Sequence, residues 1–316
     1  LSLHDALPIS REHAPRALQA SAELQGACPD GATMMVLPLV ELAKADANLP
    51  VAVLGAGPVG LAAAARLIER GIEPLVLEAG ASVGTSLLDY GHVRLFSPWR
   101  YDIDPAMAAM LQPSGWRAPA DAELPLAREV VERVLQPFSA LPQVAPHLRL
   151  RTRVTSIARQ GFDKVRTAGR ERAPFVIAAM HDGRPVQFKA RAVIDATGTW
   201  TSPNPVGANG LAADGEREHA DRIFYGIPDV LGRERRRYAG KRTLVVGAGH
   251  SAANALLGLA ELARAAPGTR LAWAVRSPAL TRVFGHRHGT LRIHRPRSEE
   301  HRKMHVTRDT RRFCVL

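Results

Sequence analysis

Apolar positions fall into one group that occurs twice along the chain. A short continuous apolar run at 50–54 leads into a glycine-rich turn and an Ala-rich segment at 61–70, and a second run follows at 74–77. Runs this short, bounded by glycine and proline, read as buried strands, and the segment between them as a helix. Gly71 stands where a helix C′ glycine belongs. The same order returns as an apolar run at 241–246, a helical segment at 253–265 and a run at 270–275. Between the two groups, Val130, Val131, Val134, Leu135 and Phe138 keep the i, i+4 spacing of an amphipathic helix over 128–140. Residues 148–157, 175–180 and 186–194 read as three strands, the last two joined by a hairpin at 181–184 that contains Asp182 and Gly183.

The turns inside the two groups carry the candidate chemistry. The first reads Gly55, Ala56, Gly57, Pro58, Val59, Gly60, a G-x-G-x-x-G between a strand and a helix, with Glu78 at the end of the next strand. In that context Gly55 permits the tight turn, Gly57 lets backbone approach a pyrophosphate, and Gly60 lets helix and strand pack closely. The helix N-terminus supplies N–H donors and a favourable field for phosphate. Glu78 can accept the ribose hydroxyls of an adenosine and would repel a 2′-phosphate. The second turn reads Gly247, Ala248, Gly249, His250, Ser251, Ala252, with alanine in the third glycine position. Its second strand ends in Arg276, whose planar guanidinium can fork onto a 2′-phosphate. The pair therefore predicts an adenosine without 2′-phosphate at the first turn and NADP(H) at the second. The alternative for Arg276 is a solvated strand-end charge.

Length and charge bound the rest. A chain of 316 residues exceeds one ordinary core and fits two domains. The net charge of +12 raises the question of nucleic acid or an anionic membrane, but 286–316 alone holds nine basic and three acidic residues, half of the excess. No nucleic-acid or membrane partner is expected. The long uncharged run at 49–65 has glycine and proline in its middle, which suits strand, turn and helix and not a membrane span. The expectation is a soluble cytoplasmic protein of unspecified oligomeric state. Cys28 and Cys314 are too few and too far apart for a disulfide framework, a zinc site or a Cys-x-x-Cys pair. His286, His288 and His294 lack a carboxylate partner in register, so no metal is expected. Residues 1–10 and 297–301 resemble translated sequencing-adapter read-through, and Met34 or Met35 would be a natural start. Segments 1–48 and 286–316 are therefore read as disordered or foreign extensions, the alternatives being a genuine N-terminal extension and a basic tail.

Two such fingerprints, with Ala196, Thr197 and Gly198 between them, resemble the two-dinucleotide-binding-domain flavoproteins, and within them the flavin-containing monooxygenase-like NADPH-dependent oxidoreductases. The similarity runs from about residue 49 to about residue 284. It implies an α/β fold: a three-layer Rossmann-like FAD-binding domain at 49–200, with a parallel sheet and a small β-meander, and a partial Rossmann-like NADP-binding domain at 201–285. The resemblance assigns FAD to Gly55, Gly57, Pro58, Val59, Gly60, Glu78, Thr197 and Gly198. It assigns NADP(H) to Gly247, Gly249, His250, Ser251, Ala252 and Arg276. The absence of a redox cysteine pair sets the chain apart from the disulfide-reductase branches. The monooxygenase signature of Phe, Gly, His and a further aromatic before the second fingerprint is not reproduced in full around Gly215, His219, Phe224 and Tyr225, so hydride transfer is expected and oxygen insertion is left open.

The segment 91–101 packs His92, Arg94, Phe96, Trp99, Arg100 and Tyr101 into eleven residues. A flavin ring needs a flat wall and a nearby cation. Arg94 or Arg100, with Trp99, is expected to face it, the alternative being core aromatics with solvated arginines. No catalytic acid or base stands out. The function expected is an FAD-dependent oxidoreductase accepting hydride from NADPH and passing electrons to oxygen or a small organic molecule, with monooxygenation as one outcome. The alternatives are a nucleotide-binding regulatory flavoprotein without turnover and a non-functional truncated fragment.

Overall fold

The computed structural model describes residues 48–207 and 210–275. Arg276, the group His286, His288 and His294, both cysteines, and segments 1–47 and 276–316 lie outside the described residues.

Strand β1 (Val51–Leu54), helix α1 (Pro58–Glu69) and strand β2 (Pro74–Leu77) form the first β-α-β unit. Pro58 starts α1, where its missing N–H is no loss. The helix ends in a Schellman motif: Ile72 N–H donates to Leu67 O and Gly71 N–H to Ile68 O, each at 2.9 Å, with Gly71 at φ +67. β1 pairs in parallel with β2 and with β7 (Ala192–Asp195), and β2 pairs in parallel with β3 (Leu148–Arg149). The sheet order is therefore β3-β2-β1-β7.

A parallel sheet is stable only when both faces are covered, and alternation along β1 and β2 serves both. Val53 and Val76 turn toward α1, α2 (Pro105–Leu111) and a helix over 127–139. Ala52, Leu54 and Leu77 turn the other way, onto Ile177 and Ala190 of an antiparallel meander. The meander consists of β4 (Thr152–Arg159), β5 (Phe175–His181) and β6 (Arg184–Ala190). This is the three-layer arrangement expected from the sequence.

All five residues of the stripe in the 127–139 helix are 2% exposed or less. Burying side chains of this size stabilises by about 1.5–3 kcal/mol each relative to exposure. Its middle, Val131–Leu135, widens into a π turn, and Pro137 supplies the cause. Proline has no N–H and its ring would strike the carbonyl four residues back, that of Arg133. The freed Arg133 carbonyl accepts the Trp116 indole N–H at 2.7 Å.

Two of the three expected strands turn out to be sheet switches. The run 148–157 breaks at Arg151 (φ +50) into β3, which joins the parallel sheet, and β4, which joins the meander. The run 186–194 breaks at Arg191, whose N–H donates to Pro50 O at 3.0 Å, into β6 and β7. Around Arg151 the apolar alternation runs on unbroken, and around Arg191 it passes straight into the apolar run of β7, so the two runs read as single strands with no sign of the change of partner. The hairpin between β5 and β6 is as expected, with Asp182 (φ +46) and Gly183 (φ +78) both left-handed, as a type I′ turn requires.

The second unit has β8 (Arg242–Val246), α3 (His250–Ala265) and β9 (Arg270–Ala274), with β8 and β9 parallel. Its core gathers Val230, Tyr238, Val245, Ala252, Leu256, Leu259 and Leu262. α3 begins three residues earlier than the apolar period suggested, directly on the glycine turn. Among the described residues no helix is long and apolar enough to cross a membrane, and no group of three or more His, Cys, Asp or Glu could hold a metal.

Candidate functional site

At the end of β1, Gly55 (φ +94) donates its N–H to Leu77 O at 2.8 Å, and a Cβ there would stand 2.8 Å from Ala196 O. A Cβ on Gly60 would stand 1.9 Å from Gly55 O. These two glycines are required by packing within the unit. Gly57 is different: it caps α1 with extended backbone and no side-chain cap, and nothing lies within 4 Å of where its Cβ would be. The first-turn N–H groups of α1 thus open onto free space, the geometry that receives an anion at a helix N-terminus. Val59, in that first turn, is 70% exposed.

The Glu78 carboxylate is fixed from both sides, Oε2 accepting the Ala56 N–H and Oε1 the Gly80 N–H, each at 2.7 Å. Two carboxylate oxygens offer about four acceptor positions, so about two remain for hydroxyl donors. The strand that crosses back delivers Ala196, Thr197 and Gly198 beside Gly55. Asp195 Oδ1 accepts the Thr197 hydroxyl at 2.7 Å and its N–H at 3.0 Å; these bonds, the hydroxyl first, hold the Asp195 carboxyl below the usual range. Thr197 and Gly198 are exposed. Trp200 anchors the segment through its indole N–H to Asp89 Oδ2 at 2.8 Å and its ring 4.6 Å from Tyr90.

In the 91–101 segment the structure departs from expectation at Trp99. Its side chain is 1% exposed in the core, with the Arg133 guanidinium 5.2 Å from its ring, so it presents no open face to a ligand ring. The reason is the turn at 99–102, which rotates the indole inward while Phe96 stays 61% exposed. Arg94 donates to Leu124 O at 2.5 Å, tying it to the neighbouring loop, and Arg100 lies 4.8 Å over Tyr101. Burial pushes the Asp102 carboxyl up, opposed by the Ser97 hydroxyl at 2.6 Å.

The second turn repeats the first with one change. Gly247 (φ +122) has the positive backbone angle of Gly55, and Ala252, 8% exposed, takes the place that Gly60 has in the first unit. Gly249 caps α3 with extended backbone and open space around its Cβ position, as Gly57 does for α1. His250 and Ser251 are exposed, and the His250 ring stacks on Phe96 at 4.2 Å between centroids and 15° between planes. The Trp273 indole donates to Gly247 O at 2.7 Å, bracing the turn from β9. Arg276 lies outside the described residues.

Phe96, Trp273 and Glu216 were not legible as site residues. Glu216, 6% exposed, accepts the Val206 N–H at 2.8 Å, the Ala213 N–H at 2.6 Å and the Tyr225 hydroxyl, tying these three residues together. The Tyr225 hydroxyl, then the Val206 N–H, holds its carboxyl below the glutamate range. No sequence signal distinguishes this glutamate from its neighbours Glu218 and Asp214.

The fold is shared with solved structures. Bacillithiol disulfide reductase Bdr (YpdA) from Staphylococcus aureus is 18% identical with a TM-score of 0.52, the match covering 73% of this chain and 58% of that one. DfoA from Erwinia amylovora, a cadaverine monooxygenase of desferrioxamine biosynthesis bound to FAD, is 17% identical with a TM-score of 0.52, covering 73% of this chain and 52% of that one. The chain thus spans little more than half the length of these relatives. No curated protein matches it in sequence. A family profile covers residues 52–281, from β1 through both glycine turns and past β9, and by that match the chain belongs to the pyridine nucleotide-disulphide oxidoreductase family.

Proposed function

We propose that the chain forms the paired dinucleotide sites of an FAD-dependent oxidoreductase that accepts hydride from NADPH, with oxygen or a small organic molecule as final acceptor. The observation that carries this is the repetition of one geometry: Gly57 and Gly249 each cap a helix with no side chain and nothing within 4 Å of the Cβ position. A pyrophosphate fits that opening, and its charge is met by the unpaired first-turn N–H groups.

Gly55, Gly57, Pro58, Val59, Gly60, Glu78, Thr197 and Gly198 would hold FAD, with Arg94 at its edge; Gly247, Gly249, His250, Ser251, Ala252 and Arg276 would hold NADPH. When bound, the two cofactors supply hydride donation and two-electron acceptance. The chain's own part is orientation. Glu78, pinned by Ala56 and Gly80, directs its remaining lone pairs at ribose hydroxyls and repels a phosphate there. Asp195 fixes Thr197, whose backbone borders Gly55. We place the change of domain near residue 200 and the protein in the cytoplasm, where NADPH is supplied. With Cys28 and Cys314 as its two cysteines, disulphide chemistry is not assigned to this chain.

The test is anaerobic stopped-flow reduction of the FAD-loaded chain by NADPH and by NADH. The expected result is a flavin absorbance that bleaches, with roughly a ten- to hundredfold preference for NADPH that is largely lost in Arg276→Ala, as charge-assisted contacts of about 1.5–3 kcal/mol imply. A chain that takes up no FAD overturns the reading. FAD uptake without bleaching leaves a nucleotide-binding protein without turnover.

A further inference from the structure

Among the described residues only Arg151 (φ +50) and Asp182 (φ +46) are non-glycine residues with left-handed backbone. Asp182 is explained by its type I′ hairpin. Arg151 is not in a hairpin, and a large side chain at such a φ costs stability that persists only where the surroundings impose it. They do so here: the Arg151 N–H donates to Gly80 O at 2.8 Å, its carbonyl accepts the Asp182 N–H at 3.1 Å, and the adjacent Thr152 N–H donates to Glu78 O at 2.7 Å. Arg151 is thereby held beside Gly80, one of the two residues whose N–H groups fix the Glu78 carboxylate.

The sheet order says what lies there. Phosphates belong at the β1–α1 turn and the ribose at Glu78 on the end of β2. With the order β3-β2-β1, a nucleotide that continues in the same direction carries its base over the end of β3. β3 ends at Arg149 and the chain turns at Arg151. The Arg149 guanidinium is committed to Pro146 O at 2.7 Å and Leu148 O at 3.0 Å. The Arg151 side chain is 63% exposed, with a loose ion pair to Asp182 at 3.9 Å.

Resting on the dinucleotide reading of the first turn, we propose that Arg151 is the base-recognition residue of that site. Its guanidinium lies against the face of the purine, and its strained backbone is what points it there. A guanidinium is planar, weakly hydrated and stacks on aromatic faces, so it favours the larger purine over a pyrimidine.

Calorimetry of the full chain with FAD, ADP and UDP, together with thermal melts without nucleotide, tests this on Arg151→Gly, Arg151→Asn and Arg151→Lys. Glycine relieves the backbone, so R151G melts a few degrees higher than wild type. It binds FAD and ADP five- to twentyfold more weakly, roughly the range of a cation over an aromatic face, and the preference for ADP over UDP narrows. R151N, which tolerates the same backbone, loses affinity similarly, and R151K keeps the charge without the plane and recovers only part. ADP affinity within twofold of wild type in R151G, or full affinity in R151K, overturns the proposal, as does an R151G chain that melts lower. If wild type binds ADP but not FAD, the flavin reading falls and the ADP arm alone decides Arg151; if it binds neither, both fall.

Discussion

The Phe96 ring lies against the His250 imidazole, 4.2 Å between centroids and 15° from parallel. Phe96 belongs to the segment that follows the first β-α-β unit, and His250 is the first residue of the helix on the second glycine turn. One aromatic contact therefore joins the two places where dinucleotides are proposed to bind. An aromatic pair of this kind is worth about 0.5–1.5 kcal/mol beyond its buried area. Phe96→Ala is expected to slow flavin reduction by saturating NADPH by roughly two- to tenfold, with FAD affinity unchanged and Phe96→Tyr close to wild type. Stopped-flow rates decide it, and an F96A chain reduced at the wild-type rate removes the contact from function.

The two glycines of the first turn should fail in different ways. Gly60→Ala drives a methyl group to 1.9 Å from Gly55 O, a backbone atom that cannot swing aside, so the fold should lose several kcal/mol by denaturant titration. A Cβ on Gly57 has nothing within 4 Å and the backbone is ordinary, so in Gly57→Val the melting temperature should stay near wild type while FAD binding is lost. Equal effects on folding and binding in both variants would contradict the division of roles.

Trp116 and Pro137 form a compensating pair through the Arg133 carbonyl. Trp116→Phe removes the donor and leaves that exposed carbonyl to water, at a cost of about 0.5–1.5 kcal/mol, the net worth of one hydrogen bond. Pro137→Ala returns a backbone N–H that can donate to it. A double-mutant cycle should show Trp116→Phe costing less on the alanine background, with a coupling of about 0.5–1 kcal/mol. Additive effects would detach the indole from the proline.

Glu216 gives its contacts with Val206, Ala213 and Tyr225 a pH dependence. Its folded carboxyl is held below the usual range by the Tyr225 hydroxyl and backbone N–H groups. A depressed carboxylate contributes stability that is complete above its unfolded value and lost as pH falls through the folded one. Stability should therefore decline as pH drops below about 5, and Glu216→Gln should be less stable at neutral pH with a shallower decline. Parallel pH curves for the two proteins would refute the assignment.

The sequence by itself determined the two β-α-β units, because short apolar runs, an Ala-rich helix and glycines at fixed offsets are local signals. The 127–139 helix was legible in the same way, since all five stripe residues share one face. The position of Glu78 directly after the second strand could be read in the same way. What tertiary structure alone decided is where the chain changes partner and which way side chains turn. The breaks at Arg151 and Arg191 divide single apolar runs between a parallel sheet and a meander, because alternation specifies a face and not a neighbour. Trp99 went inward and Phe96 outward, although the sequence pointed to Trp99 as the ring wall. The Phe96 contact with His250, 154 positions apart, and the Trp200 indole bond to Asp89, 111 positions apart, depend on packing between distant segments. Such contacts are set by the closing of the whole core, and no window of sequence contains them.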